Sequence, residues 1–231
     1  MSSEESIGVS HLWHGKLSLT ILVLLALGVT IGFPELGVIG AFVIAIAVSV
    51  IARKHGSFRD MGFRRPASWP KLLGRTLIYG LVIQTTFTVI IEPALARLTG
   101  DAVDISVFDA VRGNFGNFLL LMALGWMVGG FLEEFTFRGF IVGRVRWLLG
   151  SGVAATWVAV LAAAVPFGVA HIYQGITGMI ATGMIGFVLG AVYIYHKFNL
   201  WYSVFTHGFI NTVGILAMYF DIDRDLNRLM F

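Results

Sequence analysis

Of the 231 residues, 57% are hydrophobic and 13% charged, and the mean hydropathy is +0.84. A soluble domain carries about 25% charged residues to cover its surface, so the composition excludes an ordinary water-soluble fold and points to lipid as the solvent. The net charge of +3 comes from basic residues clustered beside apolar runs, which read as membrane topology rather than a nucleic-acid face, and the lack of cysteine excludes a thiol nucleophile, a thiolate metal site and disulfides.

The N-terminal stretch MSSEESIGVSHLWHGK places two acids ahead of its lysine. It lacks the basic start and small-residue cleavage site of a secretory signal. Residues 1–16 therefore read as a cytoplasmic tail, and the first apolar run as a retained span. Apolar runs come at Leu17–Phe33, Leu36–Ala52, Leu72–Glu92, Asn117–Leu132, Val153–Ala170, Ile176–Tyr195 and Trp201–Phe220. A spanning helix needs about 20 residues. The first two runs meet at Pro34–Glu35 and predict a tight helical hairpin. The fold class is all-α: a polytopic membrane protein of about seven to eight transmembrane helices, forming one membrane-embedded domain over 1–231.

Loop charge sets the orientation. Arg53, Lys54, Arg59, Arg64, Arg65, Lys71 and Arg75 face a single acid, Asp60, so the segment Arg53–Arg75 is cytoplasmic by the positive-inside rule. Glu92, Asp101, Asp104 and Asp109 outnumber Arg97 and Arg112, as in an external loop. Arg144, Arg146 and Lys197 return the later turns to the cytoplasm, which places the N-terminus inside. The C-terminal segment DIDRDLNRLMF is mixed in charge and sets no side. Trp13, Trp69, Trp147, Trp201 and Tyr202 fit an aromatic belt at the interfaces, where His11, His14, His55 and His196 also fall.

Three clusters of polar residues fall inside the spans, where an ionisable group costs about 2.5–3.5 kcal/mol on insertion scales. They are Glu133, Glu134 and Arg138 in GGFLEEFTFRGF, His171 in VPFGVAHIYQG, and His207 with Asn211 in SVFTHGFIN. Glu134 and Arg138 are four residues apart on one helical face, a spacing that pairs charges. Glu133 points about 100° away in an α-helix and shares its face with Gly129 and Phe137, where the glycine leaves room beside the carboxylate. Glu134 thus reads as the structural partner of Arg138, and Glu133 as the working group. His207 and Asn211, also four apart, aim at one point. His171 comes after Pro166, which can kink its helix and free backbone carbonyls.

A carboxylate, two imidazoles and an amide suit hydrolysis. Glu133 can take a proton from water, His171 can share that water, and His207 with Asn211 can donate to an oxyanion. Glu133, His171 and His207 could equally hold a divalent metal such as zinc, although no HExxH zincin motif is present. Against this stand plainer readings: membrane histidines and asparagines also bond neighbouring helices. Gln84, Thr85, Thr86 and Thr88 either line a cavity or stitch helices together.

Glu133-Glu134-x-x-x-Arg138, Phe167-x-x-x-His171 and His207-x-x-x-Asn211, in that order on separate helices, resemble the CPBP family, the CAAX protease and bacteriocin-processing enzymes that include the type II CAAX prenyl endopeptidases. The segment MGFRRPASWP is similar to the family as well, and the core of the resemblance is 129–211. The resemblance implies a catalytic cavity within the membrane, peptide hydrolysis with Glu133 as water activator, His171 as its partner and His207 with Asn211 as oxyanion donors. It implies a membrane-associated peptide or protein substrate, lipid-modified or not, in contact with membrane lipid. Straight spans would leave His171 near the outer end and Glu133 toward the cytoplasm, so a shared site requires the fifth span to enter late, tilt or break at Pro166, with His171–Gly175 as irregular backbone lining a wet cavity.

Two other classes compete with the peptidase. A non-catalytic scaffold or bacteriocin immunity protein would keep the fold without the chemistry, and the full polar set argues against it. A proton-coupled transporter would use Glu and His as a relay, but the repeated halves with matching broken helices common in transporters are not evident. Compact length and loop charge suit a bacterial plasma membrane.

Overall fold

The computed structural model describes residues 16–33, 37–53, 61–150 and 152–224, and among them every regular element is helical. The long helices are α1 (Lys16–Gly32), α2 (Gly37–Arg53), α3 (Trp69–Thr99), α4 (Phe115–Leu149), α5 (Val153–Val169), α6 (Gly175–Tyr195) and α7 (Leu200–Tyr219). The expected turn at Pro34–Glu35, the tail up to residue 15, and His11, Trp13, His14 and His55 lie outside the described residues.

Local chemistry sets several ends. Ser68 caps α3, with Pro70 in the first turn where its missing N–H costs nothing, and Gly100 closes the helix at φ +89°. The Asn114 side chain accepts from Asn117 N at 3.0 Å to start α4, and Asn199 does the same for Trp201 N at 3.2 Å at the head of α7.

Two helices outrun their apolar patterns. α3 continues past Glu92 to Thr99, so the acid expected in an external loop sits on a helix wall. α4 continues past Leu132 to Leu149 because Glu133, Glu134 and Arg138 lie inside the protein, not at a boundary. Every residue from Glu133 to Val142 is buried, which makes the middle of α4 the axis of the fold. This stretch is not an ordinary α-helix. Gly125–Glu133 and Phe135–Val142 form wide π turns with Glu134 between them, so the 100° step assumed for Glu133 against Glu134 does not hold there.

α3 and α7 run parallel, with Trp69 beside Trp201, Gly80 on Phe209, and Gln84 opposite Gly214. α5 runs antiparallel to α4: Arg146 Nε donates to Thr156 Oγ1 at 3.1 Å, and Phe137 meets Phe167 edge to face. α5 and α6 touch backbone to backbone at Gly168, where a Cβ would stand 2.6 Å from Met179 O. Ahead of α3, Met61 is buried, Gly62 O accepts from Leu200 N, and Arg64 donates to Lys197 O, so MGFRRP is locked against the head of α7.

Outward positions such as Leu24, Val43, Ile78, Val82, Ile90 and Val165 are apolar and exposed, as lipid-facing positions are. Trp69–Thr99, Phe115–Leu149 and Ile172–Tyr195 are long and apolar enough to cross a bilayer, and Thr20–Gly32 and Val153–Val169 are shorter apolar helices. The chain is an integral membrane protein.

Candidate active site

The site is organised around one carboxylate oxygen. Glu134 Oε1 accepts from Arg138 Nη1 at 2.8 Å and from His207 Nδ1 at 2.9 Å. Arg138 also donates to Gly186 O on α6 at 2.6 Å, and its guanidinium lies 4.6 Å from the centre of the Phe167 ring. Four helices, α4, α5, α6 and α7, are tied at this point by charge-assisted bonds and a cation–π contact. Glu134 is fully buried and Arg138 nearly so, and an ion pair this dry is tolerated only because further hydrogen bonds serve both partners.

In front of this pair stand the groups expected to work. The His207 imidazole has Nδ1 on Glu134, and its Nε2 lies 3.9 Å from Glu133 Oε2. One turn along α7, Asn211 Nδ2 donates to Gly125 O at 2.8 Å. Gly129 makes room for that amide: a Cβ there would overlap Asn211 Nδ2 and stand 3.6 Å from His207 Nε2. The space beside Gly129 that the sequence assigned to the Glu133 carboxylate is thus filled by Asn211. On the other side of α7, the Trp126 indole packs on Gly208 and donates to Thr212 Oγ1 at 3.0 Å, fixing the register of α4 against α7.

His171 arrives by a route the straight-span picture did not contain. α5 passes through Pro166 without breaking and ends at Val169, level with Glu133 because the helix starts opposite Arg146. Ala170 and His171 then turn, Ile172–Gln174 form a 3-10 turn, and Gly175 adopts φ +76° to begin α6. His171 Nδ1 lies 2.8 Å from Phe167 O. A carbonyl can only accept, so Nδ1 carries a proton, and in the neutral ring Nε2 keeps a free lone pair. Phe167 is the hub between the imidazoles, with ring centroids 5.0 Å from His171 and 5.9 Å from His207.

A cavity of about 460 Å³ opens in front of these groups. Glu133, His171, His207 and Asn211 all line it, as does Phe167, while Glu134 and Arg138 lie behind its wall. Gln84 and Thr88 also line it, as one of their sequence readings expected, and their mutual bond at 3.0 Å lies within α3 rather than between helices. Tyr173 and Gln174, expected as irregular backbone lining a cavity, do line it, and so does Glu92, which the sequence placed in an external loop. The signal available for Glu92 was its place in an apolar run just ahead of Pro93, where it read as the end of a span.

No set of three His, Asp or Glu side chains among the described residues stands in metal-ligating geometry. Glu133, His171 and His207 share the cavity without converging on one point, so no chemical step is derived through a metal.

Residues 115–213 match the family model described as type II CAAX prenyl endopeptidase Rce1-like. The comparisons with curated proteins and with solved structures return no match. The matched stretch contains Glu133, Glu134, Arg138, Phe167, His171, His207 and Asn211, and a protease family implies a peptide or protein substrate. Over this segment, which holds all three motifs and both sides of the Glu134–His207 contact, the chain is similar to the Rce1-like type II CAAX prenyl endopeptidase family.

Proposed function

We propose that the protein is an intramembrane endopeptidase that hydrolyses a peptide bond of a membrane-associated protein or peptide. The observation that carries this reading is the meeting of Glu133, His171, His207 and Asn211 on one cavity, with a neutralising Glu134–Arg138 pair behind them. Residues 129–211 form the catalytic core of a single membrane-embedded domain.

The chemistry depends on which atoms can give and which can take. The Glu133 carboxylate and His171 Nε2 are both acceptors, so one water donating to both is oriented with a lone pair free for attack. As that water attacks the substrate carbonyl, Glu133 takes its proton and later delivers it to the departing amine. The developing oxyanion lies toward His207 Nε2 and the second N–H of Asn211. For His207 to donate through Nε2 it must also keep its Nδ1 proton on Glu134, which makes it an imidazolium. With Arg138 offsetting Glu134, a cationic His207 would balance Glu133 in its ionised, water-activating form.

The chain crosses the membrane seven or eight times with the N-terminus in the cytoplasm of a bacterial cell. The parallel run of α3 and α7 supports regular alternation, and the basic segment before α3 supports the orientation.

The test is proteolysis of a peptide library by the full chain in lipid nanodiscs, wild type against Glu133→Gln. Cleavage should fall by about 10²–10⁴-fold in the variant at equal expression. Equal cleavage by both proteins would overturn the assignment.

A further inference from the structure

The cavity lining carries a carboxylate, that of Glu92, which hydrolysis does not use. Glu92 lies on α3 directly after the π-helical turn Phe87–Ile91, and its N–H reaches back to Phe87 O. Such single π turns occur often at functional sites, because the extra residue re-aims the next turn of helix. Here the turn carries the end of α3 away from α7 and onto the head of α6, where Thr177 Oγ1 donates to Asp101 O at 2.6 Å. Glu92 is thereby set on the cavity wall.

Much of the cavity lining gives a carboxylate nothing to bond. Pro93, Ala96, Val103, Leu121, Ile215 and Met218 are apolar. Gln84 and Thr88, two turns and one turn earlier, are engaged with each other. Among the described residues the Glu92 carboxylate has neither a hydrogen bond nor an ion pair, and the arginines near the cavity are committed elsewhere. Arg138 holds Glu134, while Arg112 holds Asp109, Asp221 and Asp223. A carboxylate in an apolar wall costs free energy unless a partner offsets it. The partner that fits is one that comes and goes.

We propose that Glu92 is a specificity-determining residue of the cleft, binding a Lys or Arg side chain of the peptide substrate a few residues from the scissile bond. The inference rests on the endopeptidase reading for its account of what enters the cavity. The apolar wall around Glu92 suits the methylene stem of such a side chain, and the carboxylate suits its head. Because the cationic head is held in both the bound and the reacting state, the contact acts mainly on KM.

The experiment uses the full chain in nanodiscs and photo-crosslinking peptides that differ at one scanned position, carrying Lys, Arg, norleucine or Glu. Labelling is read on the Glu133→Gln background, and cleavage on the otherwise wild-type chain. At one position Lys and Arg should exceed norleucine by about tenfold or more in labelling and in kcat/KM, carried by KM. Glu92→Gln should bring that ratio close to one, Glu92→Asp should keep most of it, and Glu92→Lys should favour the Glu probe. No cation preference at any position, or a preference unchanged in Glu92→Gln, overturns the inference. Cation-selective labelling that needs Glu92, on a chain that cleaves nothing, would keep Glu92 as the residue that binds a cationic side chain and remove the peptidase reading instead.

Discussion

His207 donates its Nδ1 proton to the same Glu134 oxygen that holds Arg138, at 2.9 Å against 2.8 Å, so Glu134 serves the cavity wall and the buried ion pair at once. Its removal should therefore show in two ways. Glu134→Ala leaves Arg138 buried without its counter-charge and should cost about 3–5 kcal/mol of stability. Glu134→Gln keeps shape but can no longer anchor a cationic imidazole. It should lower kcat more than it lowers the unfolding midpoint. Denaturation in detergent alongside single-turnover cleavage separates the two effects. Loss of stability without loss of kcat in Glu134→Gln would show that His207 is held by packing alone.

Asn211 should act on the transition state. Removing one oxyanion donor costs about 10²–10³ in kcat, or roughly 2.7–4 kcal/mol. Asn211→Ala should show that loss with KM little changed, because the amide meets charge that develops only as water attacks. Asn211→Asp, close in shape but an acceptor where a donor is needed, should be no better. A variant that raises KM and spares kcat would place Asn211 in substrate binding instead.

Much of this site is legible in the residue order. Charged and amide groups recur inside apolar runs, and the four-residue spacings of Glu134–Arg138 and His207–Asn211 identify pairs that the structure brings to one place. The bounds of α1, α2, α5, α6 and α7 fall within one residue of the apolar patterns, because lipid-facing and buried apolar positions together mark a span. What the order hides is the effect of burial on polar residues. Ionic groups ended the pattern of α4 at Leu132, whereas paired charges inside the protein let the helix run on to Leu149. The π turns of α4 are equally hidden, since a period of 3.6 is assumed when faces are assigned. Glu92 escaped notice for the same reason as Glu133 was found: an acid beside an apolar run reads as an edge when no second polar residue marks the interior.

Gly129 offers a test of the geometry that touches no polar atom. A methyl at this position overlaps the Asn211 amide and approaches His207 Nε2. Gly129→Ala should displace Asn211 from Gly125 O and lower kcat by about the loss seen in Asn211→Ala. Combining the two substitutions should then cost little more than either alone, since both act on one amide. Additive losses would mean that the methyl disturbs Glu133 or His207 separately.

The segment between α3 and α4 roofs the cavity with Val103, Ile105 and Phe108, and it is tied to the end of α7 through Arg112. Arg112 holds Asp109 at 2.8 Å, Asp221 at 3.0 Å and Asp223 at 2.6 Å, and Gly113 N donates to Tyr219 O. The hydrogen bond from Arg112, aided by the charge of Arg224, keeps the Asp109 carboxyl below its ordinary value of 3.8. Asp104 is likewise lowered, by its bonds to Ser106. A depressed carboxylate stabilises the folded roof above its unfolded value, and that contribution fades as pH falls through the lower folded value. The roof should hold at neutral pH and loosen below about pH 4, the ordinary aspartate range. Hydrogen exchange across residues 101–114 reads this directly, with amide protection lost in acid while the middle of α4 stays protected. Arg112→Ala should show the loosened pattern already at pH 7, and protection unchanged in that variant would mean that apolar contacts alone seat the roof.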